Sequence, residues 1–283
     1  MGFALVLLLG CGSIISPAPL SRLEGSISFA PDAGGLLSLY SLTGATRLLH
    51  DPSVIRQGST YYVFTSDWFG LPAGNYLPIR CSQDELNWAS CGSVFSRIPA
   101  WVQRKVPGAT ALWAPDISYF NGLYHVYYAG STSGSQRSVI GLATNPTLDP
   151  ADPAYRWVDA GEVLESAPGD DFNAIDPNIA VDATGNVWMT FGSYWSGIKQ
   201  IQIDPLTGVP AANATRVALA TRPQVSNDPI EGASVVRHGG FYYLFVSVDY
   251  CCNQNAATDN YKEMVGRSIS PQGPFADMDG TLM

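Results

Sequence analysis

Residues 51–66 read DPSVIRQGSTYYVFTS: an acid, a short apolar run, a tight turn and an aromatic run that ends at a serine. The turn, Gln57-Gly58-Ser59, separates two segments rich in Val, Ile, Tyr and Phe. These residue types favour a pleated surface, and a glycine between them supplies the positive φ that a hairpin turn needs. The stretch therefore predicts a β-hairpin that opens at Asp51.

The same pattern occurs three more times along the chain. It begins at Asp116 with DISYFNGLYHVYYAGS, at Asp176 with DPNIAVDATGNVWMTFGS and at Glu231 with EGASVVRHGGFYYLFVS. A third apolar segment and a turn-rich stretch follow each copy. A repeat of roughly 55 to 65 residues with three or four short strands is typical of a β-propeller blade. The sequence thus predicts an all-β propeller with four visible blades, whose leading acids converge on one end of the central channel.

Composition agrees with a large globular β-protein and excludes one class of partner. The 283 residues include 28 Gly and 20 Pro, and 46% of them are hydrophobic against 14% charged. Gly and Pro in such numbers favour short strands joined by turns. The net charge of −9 and the lack of a basic run argue against nucleic acid, because phosphate binding needs clustered Lys and Arg. We expect a neutral partner.

The N-terminus predicts export. The apolar run from Phe3 to Leu9 is followed by small residues, which is the layout of a secretory signal. The letters LLGC also resemble a lipoprotein cleavage box, with Cys11 as the lipidated residue, so both a free and an anchored product stay open. We assign residues 1–18 to the signal, 19–47 to an N-terminal segment or closing strand, and 48–283 to the propeller.

The other four cysteines are predicted to be structural. Cys81 and Cys91 are close enough in sequence to close a short disulfide loop, which an exported protein permits. Cys251 and Cys252 are adjacent, and three states stay open for them: a strained disulfide ring, two free thiols, or disulfides with other partners. No Cys/His spacing supports a zinc site.

The leading acids have two interpretations. A single Asp before Pro is a common turn opener and needs no function. Four acids in phase are harder to explain in that way, because carboxylates gathered at a channel mouth shift one another's pKa values apart. That arrangement is the one that acid–base hydrolysis requires.

Six motifs, in this order and spacing, resemble the endo-1,5-α-L-arabinanases of glycoside hydrolase family 43. They are HDP (50–52), LWAPDI (112–117), NAIDPN (173–178), FGSYWSGIKQI (191–201), IEG (230–232) and DYCC (249–252). The resemblance implies a five-bladed β-propeller that, as a monomer, hydrolyses arabinan, a neutral plant cell-wall polysaccharide, with inversion. Matched position by position, it implies Asp51 as general base, Glu231 as general acid and Asp176 as the ionised carboxylate that orients the acid and keeps it protonated.

The resemblance also implies a set of substrate contacts, with Asp116 in a supporting role. For Trp113 a buried core position is the alternative, because propeller hubs also bury tryptophan. The set comprises Trp113, Asp116, Gly134, Asn173, Ala174, Ile175, Ser193, Tyr194 and Trp195.

The resemblance further implies a fifth blade, which by the repeat spacing is expected beyond residue 283, so we interpret the sequence as C-terminally truncated. In the family that blade carries a His associated with calcium, and calcium is therefore implied by the family alone. Two other functions stay open. One is an exo-acting α-L-arabinofuranosidase or β-xylosidase of the same family, and the other is a propeller that binds carbohydrate without cleaving it.

Overall fold

The computed structural model describes residues 42–46, 49–67, 74–250 and 260–283. These residues form sixteen β-strands and one short helix, α1 (Ala100–Lys105). The strands are β1 (Thr43–Gly44), β2 (Ser53–Gln57), β3 (Thr60–Phe64), β4 (Tyr76–Ser82), β5 (Asn87–Phe95), β6 (Trp113–Phe120), β7 (Leu123–Gly130), β8 (Ser138–Asn145), β9 (Val158–Ser166), β10 (Asn178–Val181), β11 (Val187–Phe191), β12 (Ile198–Ile203), β13 (Val217–Ala220), β14 (Ile230–His238), β15 (Phe241–Val248) and β16 (Lys262–Ser268).

The strands form four sheets, each built from one copy of the repeat. Their orders are β1-β5-β4-β3-β2, β6-β7-β8-β9, β10-β11-β12-β13 and β14-β15-β16. All neighbours within a sheet are antiparallel except β1, which pairs in parallel with β5 at the outer edge of the first sheet. The predicted all-β architecture with four blades is confirmed. We call the sheets blades 1 to 4, and they contain every hairpin that the repeat predicted.

The core lies between neighbouring blades rather than inside any one of them. Alternate residues of β7 face opposite ways: Val126 and Tyr128 pack with blade 1, and Tyr127 packs with blade 3. A third cluster joins blades 3 and 4 around Leu244 and Phe275. Because a strand buried on both faces reads as a continuous apolar run, the aromatic run YHVYYAG is explained by this packing.

Two local features complete the fold. Cys81 and Cys91 form a disulfide between β4 and β5, as their spacing suggested. Helix α1 follows blade 1, and Lys105 in its last turn makes an ion pair of 2.6 Å with Glu165 of β9. Six residues are too few to show a helical period, so this helix could not be predicted from the sequence.

The innermost strands β2, β6, β10 and β14 are joined by hydrogen bonds around Asp116, which we call the hub network. Asp116 Oδ1 accepts from Ser53 Oγ at 3.4 Å and from Asn178 Nδ2 at 3.0 Å, and Oδ2 accepts from the Ile179 amide at 3.0 Å. Asn178 Oδ1 in turn accepts from the Val235 amide at 2.8 Å. One carboxylate and one amide side chain therefore link all four blades.

Two of the innermost strands, β6 and β14, contain a bulge at the end where the repeat begins. In each, two residues of the first strand stand opposite one of the second, and the first of the two has positive φ. The corresponding residues in blades 1 to 4 are Asp51 (φ 48), Ala114 (φ 41), Asp176 (φ 55) and Gly232 (φ 61).

Counted back from the turns, Asp116 matches Ser53 and not Asp51. Asp116 and Ser53 both stand four residues before the last pair of their hairpins, Phe120 with Leu123 and Gln57 with Thr60. The prediction that all four leading acids lie at one level is therefore wrong for Asp116. Its carboxyl lies two residues deeper, in the hub network.

Candidate active site

Asp51 stands two residues before β2 of blade 1, and its side chain is partly exposed to solvent. Its Oδ2 accepts a hydrogen bond from Ser66 Oγ and lies 2.8 Å from His50 Nδ1. The Ser66 hydroxyl also accepts from the Ala114 amide at 2.6 Å, so blade 2 helps to hold Asp51. The side chain is 37% exposed, which leaves room for water beside it. Asp51 is thus an accessible carboxylate in a fixed position.

His50 is a neighbour that the sequence analysis did not use, although it stands in the quoted HDP motif. The hydrogen bond to Asp51 raises the pKa of His50, and the charges of Asp51 and Glu231 add to this rise, while burial opposes it. A positive charge on His50 below that pKa therefore faces two carboxyls. The adjacency of His and Asp in the sequence was the available signal.

Asp176 and Glu231 form a coupled pair of carboxyls. Burial raises the pKa of Asp176 well above its ordinary value, and the charges of Glu231 and then Asp51 raise it further. The Gly232 amide donates to Asp176 Oδ2 at 3.2 Å, which opposes the rise. These effects favour a proton on Asp176, whereas the resemblance implied that Asp176 is ionised.

Glu231 is held by two hydroxyl groups from different parts of the chain. Ser193 Oγ donates to Glu231 Oε2 at 2.7 Å, and Tyr261 Oη donates to Oε1 at 2.9 Å. Ser193 was among the predicted site residues, but Tyr261 was not. Tyr261 stands 30 residues beyond Glu231 and belongs to no motif that was singled out, so only the folded chain reveals the contact.

Asn173, Ala174 and Ile175 lie in the segment that leads to Asp176, and their side chains are buried. Asn173 Oδ1 accepts from Ser138 Oγ at 2.7 Å, and the Ala174 amide donates to Ser166 Oγ at 2.9 Å. These bonds fix the backbone from behind the site. Contact of these three residues with substrate stays a prediction.

Ser193, Tyr194 and Trp195 form a strained turn beside Glu231. Tyr194 (φ 57) and Trp195 (φ 54) are both in the left-handed region, where bulky residues are uncommon and cost energy. The Tyr194 amide donates to the Ile230 carbonyl at 2.9 Å, which ties the turn to blade 4. Trp195 is 39% exposed. The turn therefore carries an exposed indole two residues after Ser193, which contacts Glu231, and the substrate contacts of Tyr194 and Trp195 stay predictions.

The remaining predicted residues belong to blade 2. Trp113 is partly buried and occupies the bulge position that Glu231 occupies in blade 4, so it is not enclosed in the core. Asp116 is buried and its carboxyl belongs to the hub network, so a supporting role at the substrate stays a prediction. Gly134 (φ 72) lies in an exposed turn after β7, with no atom within 4 Å of the position that a Cβ would take. Blade 2 contributes no carboxyl at the level of Asp51.

The described residues offer neither a clustered metal site nor a helix that could span a membrane. Within the described ranges, no three His, Cys, Asp or Glu side chains are grouped so as to hold a metal ion. Calcium binds six to eight oxygens, so these side chains do not supply its usual ligand set, and calcium stays an expectation from the family. No helix in the described part is long and apolar enough to span a membrane. The predicted signal, Cys11, Cys251 and Cys252 lie outside the described residues.

Comparison with known proteins gives consistent results. The profile of the family described as "Glycosyl hydrolases family 43" matches residues 45–283. The "Extracellular exo-alpha-(1->5)-L-arabinofuranosidase ArbA" of Cellvibrio japonicus is 39% identical over 245 residues, which cover 83% of this chain and 68% of that protein. The "Extracellular endo-alpha-(1->5)-L-arabinanase 1" of Bacillus subtilis is 37% identical over 84% of this chain and 71% of its own length. The solved structure "GH43 Endo-Arabinanase from Bacillus licheniformis" has a TM-score of 0.76 and 38% identity, covering 86% of this chain and 79% of that one.

Proposed function

Since the chain belongs to glycosyl hydrolase family 43, as its motifs predicted, we propose that it cuts internal α-1,5-L-arabinofuranosidic links of arabinan with inversion. One observation carries the proposal: a partly exposed carboxyl, Asp51, lies within electrostatic reach of Asp176, whose pKa is raised by the charges of both Glu231 and Asp51. Two carboxyl groups kept in different environments can take the roles of base and acid at one pH. The endo-acting relatives of similar sequence support arabinan as the substrate.

Asp51 is the proposed general base. It removes a proton from a water molecule as the water oxygen attacks the anomeric carbon of the sugar. The exposure of its side chain gives water access, and Ser66 fixes its direction. In an inverting enzyme the base and the acid are expected about 6.5–9.5 Å apart, which leaves room for this water.

Glu231 is the proposed general acid. It gives its proton to the glycosidic oxygen while the bond from the anomeric carbon to that oxygen breaks, and the bonding electron pair stays on the oxygen. Asp176 supports this step because a second carboxyl at close range favours one shared proton over two negative charges.

Trp195 and Tyr194 are the proposed sugar contacts. The apolar face of a furanose ring packs on an aromatic ring, and Trp195 offers an exposed indole in the same turn as Ser193, which contacts Glu231. The substrate is neutral, so the net charge of −9 does not repel it. We also propose that the protein is secreted, because both curated relatives described above are named extracellular.

Exo action is the second candidate. It is favoured by the Cellvibrio japonicus relative, which is 39% identical and carries an exo-acting name. An endo enzyme needs a groove open at both ends, and an exo enzyme needs one end closed. Whether the groove is open at both ends is expected to depend on loops that include or adjoin residues 68–73 and 251–259. These residues lie outside the described part of the chain. Product analysis separates the two candidates.

The test uses linear arabinan, end-labelled arabino-oligosaccharides and an aryl α-L-arabinofuranoside. We expect a ladder of mixed oligosaccharides early in the digestion of arabinan, and proton NMR should show the inverted anomer first. Release of one product size from the chain end would support exo action instead. Glu231→Ala should abolish cleavage and keep binding of arabino-oligosaccharides. Binding without release from any substrate by the native protein would reject the enzymatic function in favour of a carbohydrate-binding propeller.

A further inference from the structure

Tyr261 stands immediately before β16 and reaches Glu231 from the side opposite Ser193. Its hydroxyl lies 2.9 Å from Glu231 Oε1, while Ser193 occupies Oε2. The residue is 41% exposed, so its ring forms part of the surface of the site although its hydroxyl points at the carboxyl. The contact joins the third strand of blade 4 to the first strand of the same blade.

The residues on both sides of Tyr261 are fixed to the segment that follows β15. The Asn260 amide donates to the Tyr250 carbonyl at 3.2 Å, and Asn260 Oδ1 accepts from the Tyr250 amide at 3.0 Å. On the other side, Lys262 Nζ forms an ion pair of 2.6 Å with Asp249, which is 7% exposed. Tyr261 is therefore held at both flanks, and its hydroxyl has a defined position relative to Glu231.

The Tyr261 hydroxyl acts as a donor. Burial raises the pKa of Tyr261 well above its ordinary value, and the negative charge of Glu231 raises it further. The phenol thus keeps its proton over the working range of a hydrolase. A hydrogen bond from a neutral hydroxyl is stronger to a carboxylate than to a carboxylic acid. Its strength therefore grows as Glu231 loses its proton.

We infer that Tyr261 is a positioning residue for the general acid: it orients Glu231 and stabilises the carboxylate that remains after proton transfer to the leaving sugar. The inference rests on the proposed function of Glu231. During the step, the O–H bond of Glu231 breaks and a new O–H bond forms on the glycosidic oxygen. The Tyr261 hydrogen bond is strongest when that transfer is complete, so it lowers the barrier more than it stabilises bound substrate.

A leaving group that needs no proton separates this role from a structural one. An alkoxide sugar is a poor leaving group and depends on the acid, whereas a 2-chloro-4-nitrophenolate leaves without one. Tyr261→Phe removes the hydroxyl alone. We expect kcat on linear arabinan to fall about 10-fold, the usual effect of losing one hydrogen bond to a charged group. KM should stay within about twofold, and kcat on the 2-chloro-4-nitrophenyl arabino-oligosaccharide should fall less than about threefold.

The pH profile gives a second readout. In Tyr261→Phe the alkaline limb of the kcat profile on arabinan should move to higher pH, because the carboxylate left by proton loss has one donor fewer. Tyr119→Phe is the matched control. Tyr119 is 53% exposed near the hairpin turn of blade 2, at the other end of its strand from the bulge, so both limbs should stay in place. Incorporation of 3-fluorotyrosine at position 261 keeps the hydroxyl and should preserve the rate.

The possible outcomes are distinct. Equal loss on the polymer and on the activated aryl substrate would mean that Tyr261 only supports the fold, and would overturn the inference. An unchanged rate in Tyr261→Phe would also overturn the inference. If Glu231→Ala is inactive in the same assay, the proposed function would still stand. A native protein that cleaves neither substrate would overturn the proposed function and the inference with it. If Tyr261→Phe does not fold, loss of the polymer rate in the 3-fluorotyrosine protein would count against the inference.

Discussion

The carboxyls that begin the four copies of the repeat fall into two groups with opposite environments. At the bulge level, Asp51 is open to solvent, and Asp176 and Glu231 repel each other. Two residues deeper, Asp116 is 8% exposed and both of its oxygens accept hydrogen bonds from neighbouring blades. All four acids begin similar sequence motifs. The blade register, rather than the residue type, decides which of them are buried in the hub network.

The difference shows how one repeat can supply both a site and its support. Asp51 and Asp176 precede the first strands of their blades, and Glu231 stands just before the bulge of β14, so all three lie at the end where the repeat begins. The position of Asp116 remains within the strand, where two side-chain donors and one backbone amide of adjacent blades reach its carboxyl. A carboxylate there is acceptable because its hydrogen bonds replace water. The hub network thus joins the blades that carry the proposed catalytic groups.

The largest expected effect comes from the accessible carboxylate. Asp51→Asn keeps the shape and an acceptor for Ser66 but cannot remove a proton from water, so cleavage of arabinan should fall about 1,000-fold. The free energy of unfolding should change by less than about 1 kcal/mol, because the side chain is partly exposed. Initial rates and urea denaturation measure the two quantities. Asp279→Asn, a surface change far along the chain, is the control for both.

An Asp51→Asn protein that kept more than a tenth of the native rate would contradict the assignment of the base. It would also remove the contrast between the bulge level and the hub, because Asp51 would then be as uninvolved in the chemistry as Asp116.

Asp116→Ala should give the opposite pattern. Its loss leaves the Ile179 amide and the Asn178 amide group without an acceptor in a buried place, which costs about 3 kcal/mol of unfolding free energy. The rate per folded molecule should stay within about threefold of native, since Asp116 does not face the mouth. Urea denaturation and an active-site-normalised rate at low temperature measure both. A stable but inactive variant would place Asp116 in the reaction and refute the distinction.

Much of the fold could be predicted because its signals are local. Hairpins with turns at Gly58, at Asn121-Gly122 and at Gly239-Gly240 follow from the φ that those turns need, and they appear where expected. Blade packing followed from the repeat. The depth of each acid along its strand did not follow from the repeat, because the four copies begin at their acids. Counting back from the hairpin turns instead aligns Asp116 with Ser53.

The site was predicted only in part, for a related reason. The placement of Ser193, Tyr194 and Trp195 beside Glu231 agrees with the resemblance, since these residues belong to compact motifs. His50 is adjacent to Asp51 in the sequence, but no sequence pattern indicated that the two side chains make contact. Tyr261 contacts Glu231 across blade 4, although the two residues are 30 positions apart in the sequence. The apolar pattern of each single strand does not predict such a contact.

The smallest expected effect is a change in how stability depends on pH. Burial raises the pKa of Asp116 to about 7, against the three hydrogen bonds that lower it. Since the folded protein binds this proton more tightly than the unfolded chain, the contribution of Asp116 to stability is full below about pH 4 and is lost as pH rises towards 7. Tyr127 is the titratable group that Asp116 influences, and its pKa is raised further from neutrality, so it stays protonated.

Asp116→Asn isolates this contribution because an amide does not titrate there. The difference in unfolding free energy, native minus Asp116→Asn, should fall between pH 4 and 7 by at most about 1.4 kcal/mol per pH unit and become constant above that range. Asp176 and the other carboxyls titrate in both proteins and cancel. Urea denaturation at several pH values measures the difference. Parallel stability curves would mean that the hub hydrogen bonds outweigh burial, so that Asp116 is as ionised in the hub as an acid in water.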